Sequence, residues 1–168
     1  MTLSTSLRKA VLLTHITCSV GWMGAVAAFL VLAITGTHSA DTVTVRAVYI
    51  AMEPMTSGLI VPLAFASLLS GLLLAFGTRW GLIRHYWVLV KLLINSLSIA
   101  LLLLHTRLIH QAARAAETGP LSPTTLSGAR SHLVNASALA LLALLTATLL
   151  SVYKPRGLTP YGQASVKG

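Results

Sequence analysis

His15, Lys91, His105 and His132 carry ionisable or metal-binding groups within otherwise apolar stretches of this chain. Such groups are expensive in hydrocarbon unless they face a partner, so each is read first as a functional candidate. His15 is followed by Ser19 and Trp22, which fall on the same helical face. Lys91, Asn95, Ser98 and His105 stand at offsets of 4, 7 and 14, one stripe along a helix. A neutral imidazole is a ligand for metal and for haem iron, and helix bundles house such centres between facing helices. The bland alternatives are a histidine that hydrogen-bonds a neighbouring serine or carbonyl, and a lysine that snorkels to the interface.

Depth sorts these residues into two groups. Lys91 and His105 are fourteen residues apart, about 21 Å along a helix axis, and cannot serve one small centre. His15 and Lys91 are expected at one level, with His85 and Trp87 nearby, while His105 and His132 are expected together at the other. Met52 and Met55, with His38, offer soft donors that suit Cu(I), the alternative metal. Nothing equips the chain for hydrolysis: no span holds a carboxylate, and Asp41, Glu53 and Glu117 are its only acids. One cysteine, Cys18, excludes an internal disulfide, and no Cys-x-x-Cys pair offers a zinc site. Arg107, His110 and Arg114 read as a solvated or headgroup-facing basic ridge.

The elements that must position these residues follow from composition. Of the 168 residues 55% are hydrophobic and 9% charged, which excludes an ordinary soluble domain. The net charge of +9 comes from basic residues scattered between apolar stretches, as flanks of membrane spans rather than a nucleic-acid surface. Four windows, at about residues 11–35, 58–77, 85–106 and 131–153, are each long enough to cross a hydrocarbon core of about 30 Å. The expected fold is all-α: one integral membrane domain over residues 1–168, a transmembrane four-helix bundle. Pro62, one turn into the second span, is expected to kink it modestly.

Arg8, Lys9, Arg79, Arg84, Lys154, Arg156 and Lys167 flank one side, against Arg46, Arg107, Arg114 and Arg130 on the other. Both termini are therefore expected in the cytoplasm. The first apolar run is too long for a signal peptide, and Thr37-His38-Ser39-Ala40 is a poor cleavage site, so the span is expected to be retained. The stretch 36–57 is left as an external loop of undecided structure, and residues 119–123 (Gly-Pro-Leu-Ser-Pro) as a helix stop. The tail 154–168 is expected to be flexible. Gly21/Ala25 and Gly24/Ala28 are small-residue pairs that permit close helix approach, within the chain or in a homo-oligomer. No internal repeat supports an inverted duplication.

Two motifs carry a resemblance. The run His15-Ile-Thr-Cys-Ser-Val-Gly21-Trp22-Met-Gly24, with Trp87-Val-Leu-Val-Lys91-Leu-Leu, resembles small four-span bacterial membrane proteins of the CopD-like and HemJ-like group. The resemblance covers roughly residues 8–153. It implies a bundle in the bacterial cytoplasmic membrane that binds haem b, with His15 and Lys91 as the functional pair. The HemJ-type branch would make the protein a protoporphyrinogen oxidase, the CopD-like branch a copper-handling protein, and a cofactor-free scaffold subunit is the remaining alternative. The leading expectation is a haem b protein for electron transfer or redox sensing. His15 is an axial ligand of the iron, Lys91 a second ligand or the partner of a propionate, and Trp22, Ser19, Asn95 and Ser98 surround them. His105 and His132 would hold an outer haem, and a quinone or a redox protein is the expected electron partner.

Overall fold

The structure is a computed structural model that describes residues 4–77, 82, 85–118, 123–155, 157, 159, 160 and 163. Every element among these residues is helical: α1 (Thr5–His38), α2 (Thr42–Met55), α3 (Val61–Gly77), α4 (Tyr86–Thr118) and α5 (Pro123–Tyr153). Four helical stretches are long and apolar enough to cross a membrane: Thr5–His38, Thr42–Gly77, Tyr86–Glu117 and Arg130–Tyr153. Leu13, Leu69, Leu93, Leu104, Leu139 and Val152 are each more than half exposed on the outside of the bundle. Such an apolar surface on helices that satisfy their own backbone hydrogen bonds belongs to a multi-pass membrane protein.

The helices run up, down, up and down. His15 in the first half of α1 touches Ser67 and Ser70 in the middle of α3, whereas Gly36 at the end of α1 meets Val48 and Tyr49 of α2. Lys91 at the start of α4 reaches His15, and His110 near its end reaches Glu53 of α2. Helix α5 closes the ring against α1 and α4.

The stretch 36–57, undecided from sequence, is mostly helix. Val45, Val48, Tyr49 and Met52 are all buried, and their spacing of i, i+3, i+4 and i+7 is an amphipathic stripe. Asp41 caps this helix, its carboxylate accepting from the amides of Val43 and Thr44 and from the Thr44 hydroxyl. The Thr44 hydroxyl and these two amides hold the Asp41 carboxyl below the usual carboxylate range. A lowered native value means that the cap contributes fully at neutral pH and is lost as pH falls through that value. Amide protection factors at Val43 and Thr44, corrected for the intrinsic pH dependence of exchange, are expected to fall on acidification in the wild type and to be low already at neutral pH in Asp41→Ala.

Helix α2 continues into α3 through a π-helical turn, Thr56–Ile60, in which the Val61 amide donates to the Thr56 carbonyl. Pro62 lacks an amide hydrogen, and the wide turn just before it is a common way to absorb that loss. The second crossing is thus longer than the window 58–77.

Glycine and alanine set the close approaches in the core. A Cβ on Gly21 would sit 3.3 Å from Leu63, so the Gly21/Ala25 pair is used inside the chain. Gly24 and Ala28 face outward, with nothing within 4 Å of a Cβ at Gly24. At the far end, Arg46 of α2 donates to the carbonyls of Ala116 and Glu117, near the last turn of α4. A guanidinium placed on helix-end carbonyls complements the dipole as well as pairing orphan acceptors. Arg46→Ala is expected to destabilise the bundle by about 2 kcal/mol, read as a lower thermal midpoint in detergent.

Of the tail expected to be flexible, some residues are placed. The Gly157 carbonyl accepts from the Tyr86 amide at the start of α4, and Thr159 is buried. Residues 119–122, 156, 158, 161, 162 and 164–168 lie outside the described residues, so the helix stop at 119–123 is bounded only by the end of α4 and the start of α5.

Candidate functional site

The second crossing supplies the seat for His15. Ser67, Ser70 and Gly71 share one face of α3, at i, i+3 and i+4, within an otherwise apolar helix. The Ser67 carbonyl lies 3.0 Å from His15 Nδ1, and the Ser70 hydroxyl 3.2 Å from the same atom. A carbonyl can only accept, so Nδ1 carries the hydrogen and the neutral ring presents the lone pair of Nε2. Gly71 makes the fit possible, because a Cβ there would stand 3.0 Å from His15 Cε1. The Ser19 and Ser67 hydroxyls, 2.7 Å apart, tie α1 to α3 one turn deeper.

Lys91 of α4 closes the other side. Its Nζ stands 3.3 Å from His15 Nε2, where an ammonium donates to the imidazole lone pair. Lys91 therefore turns inward rather than snorkelling. Asn95, one turn along the same face, is 7% exposed, and its Oδ1 is buried without a hydrogen-bond partner among the described residues. An orphaned amide oxygen in such a place costs about 1–3 kcal/mol. It marks a point where a donor is wanted.

Beside this pair lies a cavity of about 860 Å³, walled by apolar side chains such as Leu12, Leu72 and Leu92 and lined by His15, Lys91 and Asn95. A small void of about 30 Å³ adjoins it among Ser19, Trp22, Asn95 and Thr148. The larger volume is that of a pocket for a cofactor-sized molecule.

Five of the eight residues singled out from sequence thus converge: His15, Ser19, Trp22, Lys91 and Asn95. Ser98 is half-buried one turn beyond Asn95 and does not line the cavity. His105 sits at the other end, its ring bonded to the Leu101 carbonyl of its own helix, 2.7 Å away, and His132 is exposed. No group of three or more His, Cys, Asp or Glu side chains gathers for a metal among the described residues. Met52 is wholly buried in the apolar core rather than displayed on a loop, and the His38 ring bonds the Ile34 carbonyl. His110 does not belong to a purely solvated ridge, since its Nδ1 lies 2.6 Å from Glu53 Oε1 and joins α4 to α2.

Sequence reasoning missed Ser67, Ser70 and Gly71. Their signal is the cluster itself, two hydroxyls and a glycine on one face of a leucine-rich span. Comparisons of the chain with protein families, with curated proteins and with solved structures found no match.

Proposed function

We propose that the cavity holds haem b, with His15 as an axial ligand to the iron, and that the protein works in electron transfer or redox sensing. The observation that carries this reading is the seating of His15. Its Nδ1–H is fixed on the Ser67 carbonyl, which leaves the Nε2 lone pair to Lys91 on a ring that lines a largely apolar cavity of about 860 Å³. That is how a protein orients a ligating imidazole, because the outer hydrogen bond sets both tautomer and ring plane. When bound, haem would supply a one-electron Fe(III)/Fe(II) couple, whose potential the axial donors and the dryness of the site would tune.

Fit with the surrounding residues turns on Lys91. The 3.3 Å between Nζ and Nε2 is shorter than two metal–nitrogen bonds of about 2 Å each laid end to end. Lys91 must therefore leave the lone pair before His15 can ligate. The four-carbon stem permits that movement, and the orphaned Oδ1 of Asn95, one turn along the same face, is an acceptor for the displaced amine. Lysine then acts as second ligand, after losing its proton, or as partner of an acid group on the cofactor. The excess of basic residues at the end that carries the termini supports an orientation with both termini on the cytoplasmic side, and a bacterial inner membrane is the location proposed with it.

The test is an optical titration of the full chain in detergent with haem. A saturable shift of the Soret band at one equivalent, with sharp α and β bands on reduction, is expected. A featureless spectrum would sink the proposal. Gly71→Ala pushes a methyl against the ring and is expected to weaken haem binding about tenfold, ~1.4 kcal/mol, in the same titration.

A further inference from the structure

The mouth of the cavity is built differently from its walls. Arg8, in the first turns of α1, and Lys154, just past the end of α5, both line it, with Trp87 of α4 beside them. Arg8 precedes His15 by seven residues, about 10 Å along α1 toward the end that carries the termini. The three acidic side chains of the chain, Asp41, Glu53 and Glu117, belong to the opposite end of the bundle. The mouth is thus a cationic rim on an apolar chamber.

Backbone geometry adds an independent mark. Lys154 has φ of 43°, the one non-glycine residue in the left-handed region among those described. Its amide donates to the Leu150 carbonyl, the bond that ends a helix in the left-handed cap usually given to glycine. Holding lysine there costs conformational energy that glycine would not lose. Pro155 follows and stops the helix. The strained position carries a long cation into the mouth, where glycine would satisfy the backbone better.

We propose that Arg8 and Lys154 form a carboxylate clamp at the mouth, which takes the acid groups of an amphiphilic ligand whose apolar body fills the chamber. For the identity of that ligand the inference rests on the haem reading, and the two propionates of haem are the acids it would take. The clamp leaves Lys91 to the His15 side of the site. Both cations are exposed and also line the chamber, which puts them where an occupant of the cavity meets solvent.

The full chain in phosphatidylcholine nanodiscs is titrated with haem and with haem dimethyl ester, followed by absorbance. The diacid is expected to bind at least about tenfold more tightly than the diester, the scale of one charge-assisted contact. Arg8→Gln and Lys154→Gln should weaken the diacid alone. Lys154→Gly separates binding from folding, because it relieves the backbone while removing the cation. Its thermal midpoint should be unchanged or raised while diacid affinity falls. Equal affinity for acid and ester in the wild type would overturn the clamp. So would equal weakening of both ligands in the variants, or an effect confined to bilayers containing anionic lipid. If neither porphyrin binds, the haem reading fails by itself, and cis-parinaric acid against its methyl ester decides the clamp. A preference for the acid that Lys154→Gly removes upholds it, and no preference overturns it.

Discussion

Replacing His15 by alanine is expected to lower haem affinity at least about 100-fold, ~2.7 kcal/mol, and to abolish the sharp reduced bands. The chain of cause is short. Nδ1 is held by Ser67 and Ser70, so Nε2, which meets Lys91, is the ring nitrogen with a lone pair to offer. Removing the ring removes that donor, while the Ser67 carbonyl keeps the Ser70 hydroxyl as a partner. The fold should tolerate the change, because the site lies beside a cavity of about 860 Å³ and the apolar core around Tyr49 and Met52 is remote. Far-ultraviolet circular dichroism on the same preparation separates the two effects. Unchanged helicity with lost binding supports ligation, whereas unchanged binding with unchanged helicity contradicts it.

The second large effect has opposite signs in two measurements. Asn95→Leu keeps the branched heavy-atom skeleton and removes a buried oxygen that lacks a donor among the described residues. In the ligand-free protein this should raise stability by about 1–3 kcal/mol, seen as a higher thermal midpoint. In the presence of haem the advantage should shrink, because the displaced Lys91 amine loses its acceptor, and haem affinity should fall about tenfold, ~1.4 kcal/mol. A carboxamide with a purely structural role would give the reverse, a lower midpoint and unchanged affinity. Functional sites often retain such locally unfavourable groups, and Asn95 fits that pattern.

How legible was this site in the sequence? The four crossings were, because long charge-poor stretches of Leu, Ala and Val leave little alternative in a membrane. The meeting of His15 with Lys91 was legible too, from depth alone, once the helices were taken to alternate in direction. Helix α2 was hidden. Its stripe of Val45, Val48, Tyr49 and Met52 alternates with Thr, Arg and Glu, a mixture that reads as loop unless the helical period is followed. The same oversight displaced Met52 to a loop and left Glu53 without its partner His110. Ser67, Ser70 and Gly71 escaped for a different reason. Small polar residues in spans commonly bond their own helix, as Ser70 also does with the Ala66 carbonyl, and only the facing helix reveals that they cradle a ring. The histidines His105 and His132 stand apart from this site, one ring bonded to the Leu101 carbonyl of its own helix and the other exposed.

Chemical rescue tests the central claim most directly, since it asks whether His15 supplies a nitrogen donor rather than mere bulk. The full chain carrying His15→Gly is titrated with haem in the absence and presence of millimolar imidazole, and the reduced spectrum is recorded. The account predicts that haem binds weakly without imidazole and that added imidazole restores the sharp α and β bands and most of the lost affinity. Tight haem binding by His15→Gly without imidazole, with the wild-type spectrum, would contradict it.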